Sequence, residues 1–337
     1  MSDIGSLIHA DSNGKELREI YIIQSFDAVA TLDGISDWEL KIPVMVFEEQ
    51  AIEIGHQIYL EGTEWGGIVN RIKTSADSIE VGGLSWRGLL RKNLITPPDG
   101  QAYREIKGKA SSVIRELISD HFGSLFNIVA DTEDITVSNK FRYQSIGEGI
   151  EETLQKHGAR LEIVSTRDKV ELRVKKIVDW SSQYELNEDY GAVLTIEYDE
   201  SVLTNHIIAL GRGELEERMV IEAWLLPDGT VTYDPRHSQR PRGFNEITYK
   251  LDYPNAESEE ELKNKIIETF KERSRVNKAE IKLNDIRIIN LNLGDIIATR
   301  DRLTGTYAKT SIAKKIYKIS DNGLPSLRYE VAGAKGA

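Results

Sequence analysis

Apolar and charged residues alternate at period two in Trp38-Glu39-Leu40-Lys41-Ile42, the pattern of a strand buried on one face. Similar short runs rich in Ile, Val, Tyr, Trp and Thr predict strands over Glu19–Gln24, Phe26–Leu32, Trp38–Val44, Gln57–Glu61, Glu64–Lys73 and Ser78–Trp86. Turn residues such as Asp33-Gly34, Gly55, Glu61-Gly62 and Ala76-Asp77-Ser78 separate most of them. Short strands at this close spacing predict a barrel or sandwich over residues 1–98, and Pro97-Pro98 followed by Asp99-Gly100 closes it as a rigid boundary.

The period then changes. Ile114, Leu117, Ile118 and His121 share one helical face, with Gly123 as the left-handed stop. A second helix opens at Ser145 with Glu148 three residues on, a capping box, and carries Ile146, Ile150 and Leu154 at four-residue steps to His157-Gly158. Leu161–Ser165 and Lys169–Lys175 read as a hairpin, so residues 99–178 are expected to form a small α+β module. From 179 to 337 strands return, over Glu280–Leu283, Asp285–Asn290, Asp295–Arg300, Thr310–Ser320 and Leu327–Val331. One helix interrupts them at 258–275, opened by the capping box Ser258-Glu259-Glu260-Glu261 and carrying Leu262, Ile266, Ile267 and Phe270. It is expected to pack on the second β-rich domain through Leu262, Ile266 and Phe270.

Composition narrows the function classes. At 337 residues, 40% hydrophobic and 29% charged, the chain can build large cores without staples. There is no cysteine, which excludes disulfide scaffolds, thiolate zinc sites, iron–sulfur clusters and cysteine nucleophiles. The net charge of −12 argues against a protein that wraps nucleic acid or lies on anionic lipid. The charge is unevenly spread: 1–98 carries 15 acidic and 8 basic residues, 99–178 carries 13 of each, and 179–337 carries 27 and 22. Both β-rich parts are acidic and the helical part is neutral. The longest apolar stretches, such as Ile207-Ile208-Ala209-Leu210, fall far short of the roughly 20 residues that a bilayer requires. No membrane insertion is expected, and the N-terminus lacks the basic and apolar regions of a secretory signal, so synthesis in a cytoplasm is expected.

The motifs of chemistry are incomplete. His9, His56, His121, His157, His206 and His237 include no pair at the i, i+4 spacing of a helical zinc site. Gly83-Leu84-Ser85-Trp86-Arg87 misses the nucleophile elbow at its fifth position, where Arg87 replaces glycine, and reads better as a strand end entering a short helix. Gly211-Arg212-Gly213 completes neither nucleotide-binding fingerprint. The acidic neighbours Glu188-Asp189, Asp199-Glu200 and Glu216-Glu217 point to opposite faces if extended and so make no facing dyad of a glycosidase. Two distant carboxylates could still meet in space. Trp65 and Trp224 could offer sugar-stacking faces or fill a β core. No catalytic, cofactor-binding or metal residue is assigned.

Three segments together resemble a known family. They are Trp65-Gly66-Gly67-Ile68-Val69 with Ile79-Glu80-Val81-Gly82-Gly83 and Gly88–Pro98; Leu210-Gly211-Arg212-Gly213-Glu214-Leu215-Glu216-Glu217-Arg218; and Asn292-Leu293-Gly294-Asp295-Ile296-Ile297 with Ile312, Ile316 and Tyr329-Glu330-Val331-Ala332-Gly333. In this order, with helices inserted between, they are similar to hub proteins of phage tail tips, both baseplate hubs of contractile tails and tail-associated proteins of siphophages. The individual motifs are mostly glycine and charge at strand ends, and their order carries the resemblance.

It implies a mainly β chain with two β-barrel tube-like domains and small α/β inserts, assembled as a homotrimer around a channel. It further implies a structural hub without enzymatic activity, made in a bacterial host and working in the virion tail tip or baseplate. The implied partners are the tail tube or distal tail protein, the tape-measure protein, and a tip, spike or receptor-binding protein, with DNA passing through unbound. Many siphophage members continue into a peptidase or fibre, whereas this sequence stops at Ala337, so a bare hub is the expectation. A cell-wall-directed glycosidase or carbohydrate-binding module is the alternative.

Overall fold

The computed structural model describes residues 6–167, 169–186, 192–199, 204–256, 258–273, 276–284, 290–300, 307–332 and 334–336. The chain divides into two compact units, residues 1–194 with 280–335, and residues 195–279. Mainly β structure is observed, as the periodicity predicts, with five α-helices among the described residues.

The first unit is organised by an open sheet whose strands come from both ends of the sequence. Its order runs Arg71–Thr74, Ser78–Leu84, Asp37–Pro43, Ser25–Thr31, Tyr307–Ile319, Pro325–Val331. The central seam is antiparallel, with Lys314 opposite Thr31 and Ile319 opposite Phe26. Strands of the expected segments 1–98 and 179–337 therefore share one sheet. Among the described residues no sheet closes on itself, so the two closed barrels are not what the pairing forms.

A four-stranded sheet, in which Leu7–Ala10 pairs with Glu16–Glu19 and Gln57–Leu60, lies against the main one. Its edge strand Gly66–Ile68 approaches the main sheet so closely that a side chain on Gly67 would strike the Leu84 carbonyl, and one on Gly83 would strike that of Ile68. These glycines are needed for space.

Local departures from the expected elements have local causes. The run Glu64–Lys73 is two strands, because the chain switches from one sheet to the other at Val69-Asn70. Pairing in the expected strand Glu19–Gln24 is shifted back to Glu16–Glu19, which leaves Tyr21 and Ile22 exposed. After Pro43 the chain turns into a helix that alternation did not predict, α1 (Val44–Gln50). Asp285–Asn290 lies outside the described residues apart from its last position.

Residues 99–178 contribute α3 and α4 to this unit, preceded by the short α2 (Trp86–Leu89). In α3 (Ala110–Ile118) Ile114, Leu117 and Ile118 are buried as expected, whereas His121 lies past the helix end in solvent. The Ser145 hydroxyl accepts the Glu148 N–H at 3.3 Å and caps α4 (Ile146–Lys156), whose Ile146, Ile150 and Leu154 are fully buried. The hairpin is observed as Ala159–Ser165 with Val170–Lys176. This core is continuous with Ile8, Tyr59, Trp86 and Leu90 of the preceding segment.

The second unit is a smaller sheet covered by α5 (Glu259–Glu272). Its order is Val231–Thr232, Val220–Leu225, His206–Leu210, Thr248–Asp252. Ser258 caps α5 through the Glu261 N–H at 3.2 Å. Leu262, Ile266 and Phe270 are buried against Ile207, Ala209, Ala223 and Leu251, while Ile267 is 36% exposed. The apolar face is thus three residues deep rather than four. Phe270→Ala should destabilise this unit by about 3–5 kcal/mol and Ile267→Ala by less than about 1 kcal/mol. Chemical denaturation of the two variants checks the contrast.

Candidate functional site

The most concentrated polar feature of the first unit is a buried ion network with five members from three stretches of sequence. Ser85 ends a strand and caps α2 by accepting the Gly88 N–H at 3.3 Å, which turns Arg87 inward. Arg87 donates to Glu151 on α4 at 2.6 Å, to Glu64 at 3.2 Å and to the Leu161 carbonyl at 3.1 Å. Arg91 holds the other Glu151 oxygen at 2.8 Å and also reaches the Leu32 and Gly34 carbonyls. Lys315, from the strand Tyr307–Ile319, donates to Glu64 at 2.8 Å. Its ammonium stands 5.3 Å from the centre of the Trp65 ring, which stacks on Tyr317.

Lys315 faces inward because the strand slips by one residue between Ile312 and Lys314. The slip reverses the alternation, so Lys315, Tyr317 and Ile319 turn in where Ile316 would otherwise do so.

Arg87, Glu151 and Lys315 are less than a tenth exposed as side chains, and Glu64 is 11% exposed. Burial alone would push the Glu64 carboxyl up, but Lys315 and Arg87 outweigh it and hold it at about 2. A general acid of a glycosidase needs the opposite shift. Burial pushes the Asp37 carboxyl upward, but it stands at an exposed strand start beside Arg71, away from the network. Next to the network lies a cleft of about 230 Å³, lined by Glu64, Trp65, Arg87, Asn292 and Lys315, whose charged groups are engaged with one another.

A second joint links the α+β segment to the C-terminal strands. Asp295 is fully buried and accepts the Val178 N–H at 3.0 Å and the Asn292 N–H at 2.9 Å, with Arg160 3.2 Å away. Gly294, at φ +87°, makes the turn that delivers it. In Leu293-Gly294-Asp295 the aspartate is therefore a buried knot.

The remaining candidates fall into local roles. Ser85, the would-be nucleophile, is a buried helix cap. Trp65 and Trp224 are both within cores, so neither presents a free stacking face. Trp224 lies against the His206 ring at 4.7 Å, with Arg240 4.8 Å from its centre and its N–H on Glu246. His157 takes the Ser138 N–H on Nε2 and so donates Nδ1–H to the Thr153 carbonyl, closing α4.

His9 and His56 meet with Nε2 and Nδ1 2.9 Å apart, a pairing across 47 residues of sequence, and burial pushes the His9 ring down. Among the described residues no group of three or more His, Cys, Asp or Glu converges as a metal site would need. No helix among them is long and apolar enough to cross a membrane.

Chemically, then, the site is a joint: two sheets, a helix and a distant strand held by charge inside a mainly β unit. The sequence matches no family model, and no characterised protein sequence matches it. Solved structures do. The 43 kDa tail protein of prophage MuSo2 from Shewanella oneidensis superposes with a TM-score of 0.52 at 12% identity, over 97% of this chain and 98% of that one. A component of the phage P2 baseplate, in its activated conformation with Ca, gives 0.50 at 10% identity over 96% and 98%. The fold of this chain is that of phage tail and baseplate components.

Glu64→Gln should destabilise the fold by about 3–5 kcal/mol, because it leaves Arg87 and Lys315 short of a buried counter-charge. Glu64 lies below its ordinary value of 4.5 when folded, so its contribution is present above 4.5 and lost as pH falls toward 2. Denaturation at a series of pH values should show a shallower decline across that window in the variant than in the native chain.

Proposed function

We propose that this chain is a structural hub of a phage or phage-like tail tip. The observation that carries the reading is the end-to-end likeness of fold to a prophage tail protein and a baseplate component, over nearly the whole of each chain. The ion network is consistent with it, since it locks a long-range fold together and holds Glu64 in the ionised form. In this reading three copies assemble around a channel, close the tail tube or its distal protein on one side and anchor a tip, spike or receptor-binding protein on the other. The tape-measure protein ends there, and DNA passes without being bound. The open eleven-stranded sheet would stand in place of two closed barrels in lining that channel.

The excess of carboxylates in 1–98 and 179–337 suits a wall that phosphates must slide past, because each lysine or arginine contact would add binding that has to be broken again. The reading makes the protein a non-enzyme, so incubation with purified peptidoglycan should release no sugar or peptide. Reproducible release that disappears when one carboxylate is changed would favour the glycosidase alternative instead. Gold-labelled antibody on purified particles should mark the distal end of the tail, and particles assembled without the chain should lack a completed tip. Label along the capsid, or intact tips without the chain, would refute the assignment.

A further inference from the structure

The two most exposed large apolar side chains among the described residues stand at the two ends of the small sheet in the second unit, one flanked by carboxylates and the other by guanidinium groups. The hairpin after His206–Leu210 presents Leu215 at 94% exposure, between Glu214 and Glu216-Glu217, all exposed, with one exposed cation, Arg212, at the base of the tip. Leu215 adopts φ +49°, a conformation that a branched side chain occupies at a cost, and Gly213 at φ +108° shapes the same tip. Loop 233–247 presents Phe244 at 96% exposure, with Arg236 and Arg242 also exposed. The acidic residues of this loop, Asp234 and Glu246, stand near its two ends, and Glu246 is engaged by Arg240, which leaves Arg236 and Arg242 around Phe244. Among the described residues Glu214, Glu216, Glu217 and Arg236 make no ion pair.

These tips are at opposite ends of the sheet. The hairpin follows Leu210, at the end of the strand His206–Leu210. The loop leads into Thr248, which pairs with His206 at the beginning of that strand. The strand between them spans about 17 Å. Each tip is also held in place. Arg218 ties the hairpin to Asp252 at 2.5 Å and to the Gly211 carbonyl at 3.1 Å. Asn205 ties the loop through the Asn245 carbonyl and the Ile247 N–H. Glu246 holds Arg240, which stands over Trp224. Groups fixed before contact lose little entropy on binding.

We propose that the second unit binds a second copy of this chain head to tail, the acidic Leu215 hairpin of one copy seating against the basic Phe244 loop of the next. Complementary surfaces at opposite ends of one unit make a heterologous contact, which closes into a ring where the rotation between copies allows. The proposal deepens the hub reading, in which copies of the chain meet, by naming where they do so.

Sedimentation velocity of the full-length chain tests it. The native chain should self-associate as concentration rises to about 100 μM, and added salt should weaken the association, since exposed charges are screened over about 10 Å at 0.1 M. Leu215→Gly relieves the backbone and should fold at least as well, yet weaken association about tenfold or more, as should Phe244→Ala. Charge exchange is the decisive arm. A chain with Glu214, Glu216 and Glu217 all changed to Lys, and one with Arg236 and Arg242 changed to Glu, should each remain monomeric alone and associate when mixed in equal amounts.

A native chain that stays monomeric at 100 μM, or charge-exchanged chains that associate alone as the native one does, would overturn the contact. Circular dichroism and thermal unfolding establish that each variant is folded. The position of the chain in the particle is read independently by antibody labelling, so loss of the hub assignment and loss of this contact are separate results.

Discussion

Glu64 is a carboxylate with a buried cation on each oxygen, and the first unit depends on that arrangement. Arg87 brings Glu151 and helix α4 to it, and Lys315 brings a strand from 251 residues away. A buried charge pair is a weak source of net stability, because removal from water costs nearly what attraction returns. Its stronger effect is on alternatives: a displaced strand or a rotated helix would leave a charge buried without its counter-ion. The network therefore selects one arrangement of sheet, helix and C-terminal strand. Asp295 repeats the principle on a smaller scale, with two backbone N–H groups and Arg160 around one buried carboxylate.

The second unit follows a different rule. Its interior is apolar, with Leu262, Ile266 and Phe270 under a four-stranded sheet. Its polar organisation lies at the rim, where Glu246 receives both Arg240 and the Trp224 N–H. Such a unit can vary its tips without disturbing its core, since loop residues carry recognition while the scaffold carries stability. Leu215 and Phe244 stand on such tips.

Elements with a local cause were legible in the sequence. The serine caps at Ser145 and Ser258 form as read, each hydroxyl accepting the N–H three residues on, and the apolar steps of α4 and α5 mark their buried faces. Features created by distance were not. Arg87 looks like a defect in a nucleophile motif, and only the fold brings it to Glu64 and Glu151. Lys315 belongs, by alternation from Ile312, to the outward side, and the one-residue slip that turns it inward leaves no mark in composition. The same is true of His9 and His56, which are 47 residues apart in sequence. A run of strands is compatible with a barrel or with an open sheet, and what decides is the pairing of Ser25–Thr31 with Tyr307–Ile319, invisible to any local window.

That pairing also has a consequence in time. Ribosomes add about 5–20 residues per second, so residues 25–31 emerge some 15–60 seconds before residues 314–319 exist to meet them. Throughout that interval a strand containing Phe26 and Val29 has one edge without its native neighbour, the condition under which nascent chains pair wrongly with each other. Residues 195–279 are contiguous and face no such delay. The polypeptide thus leaves the ribosome with its middle able to fold before its beginning can, and the last strands to be synthesised complete the first.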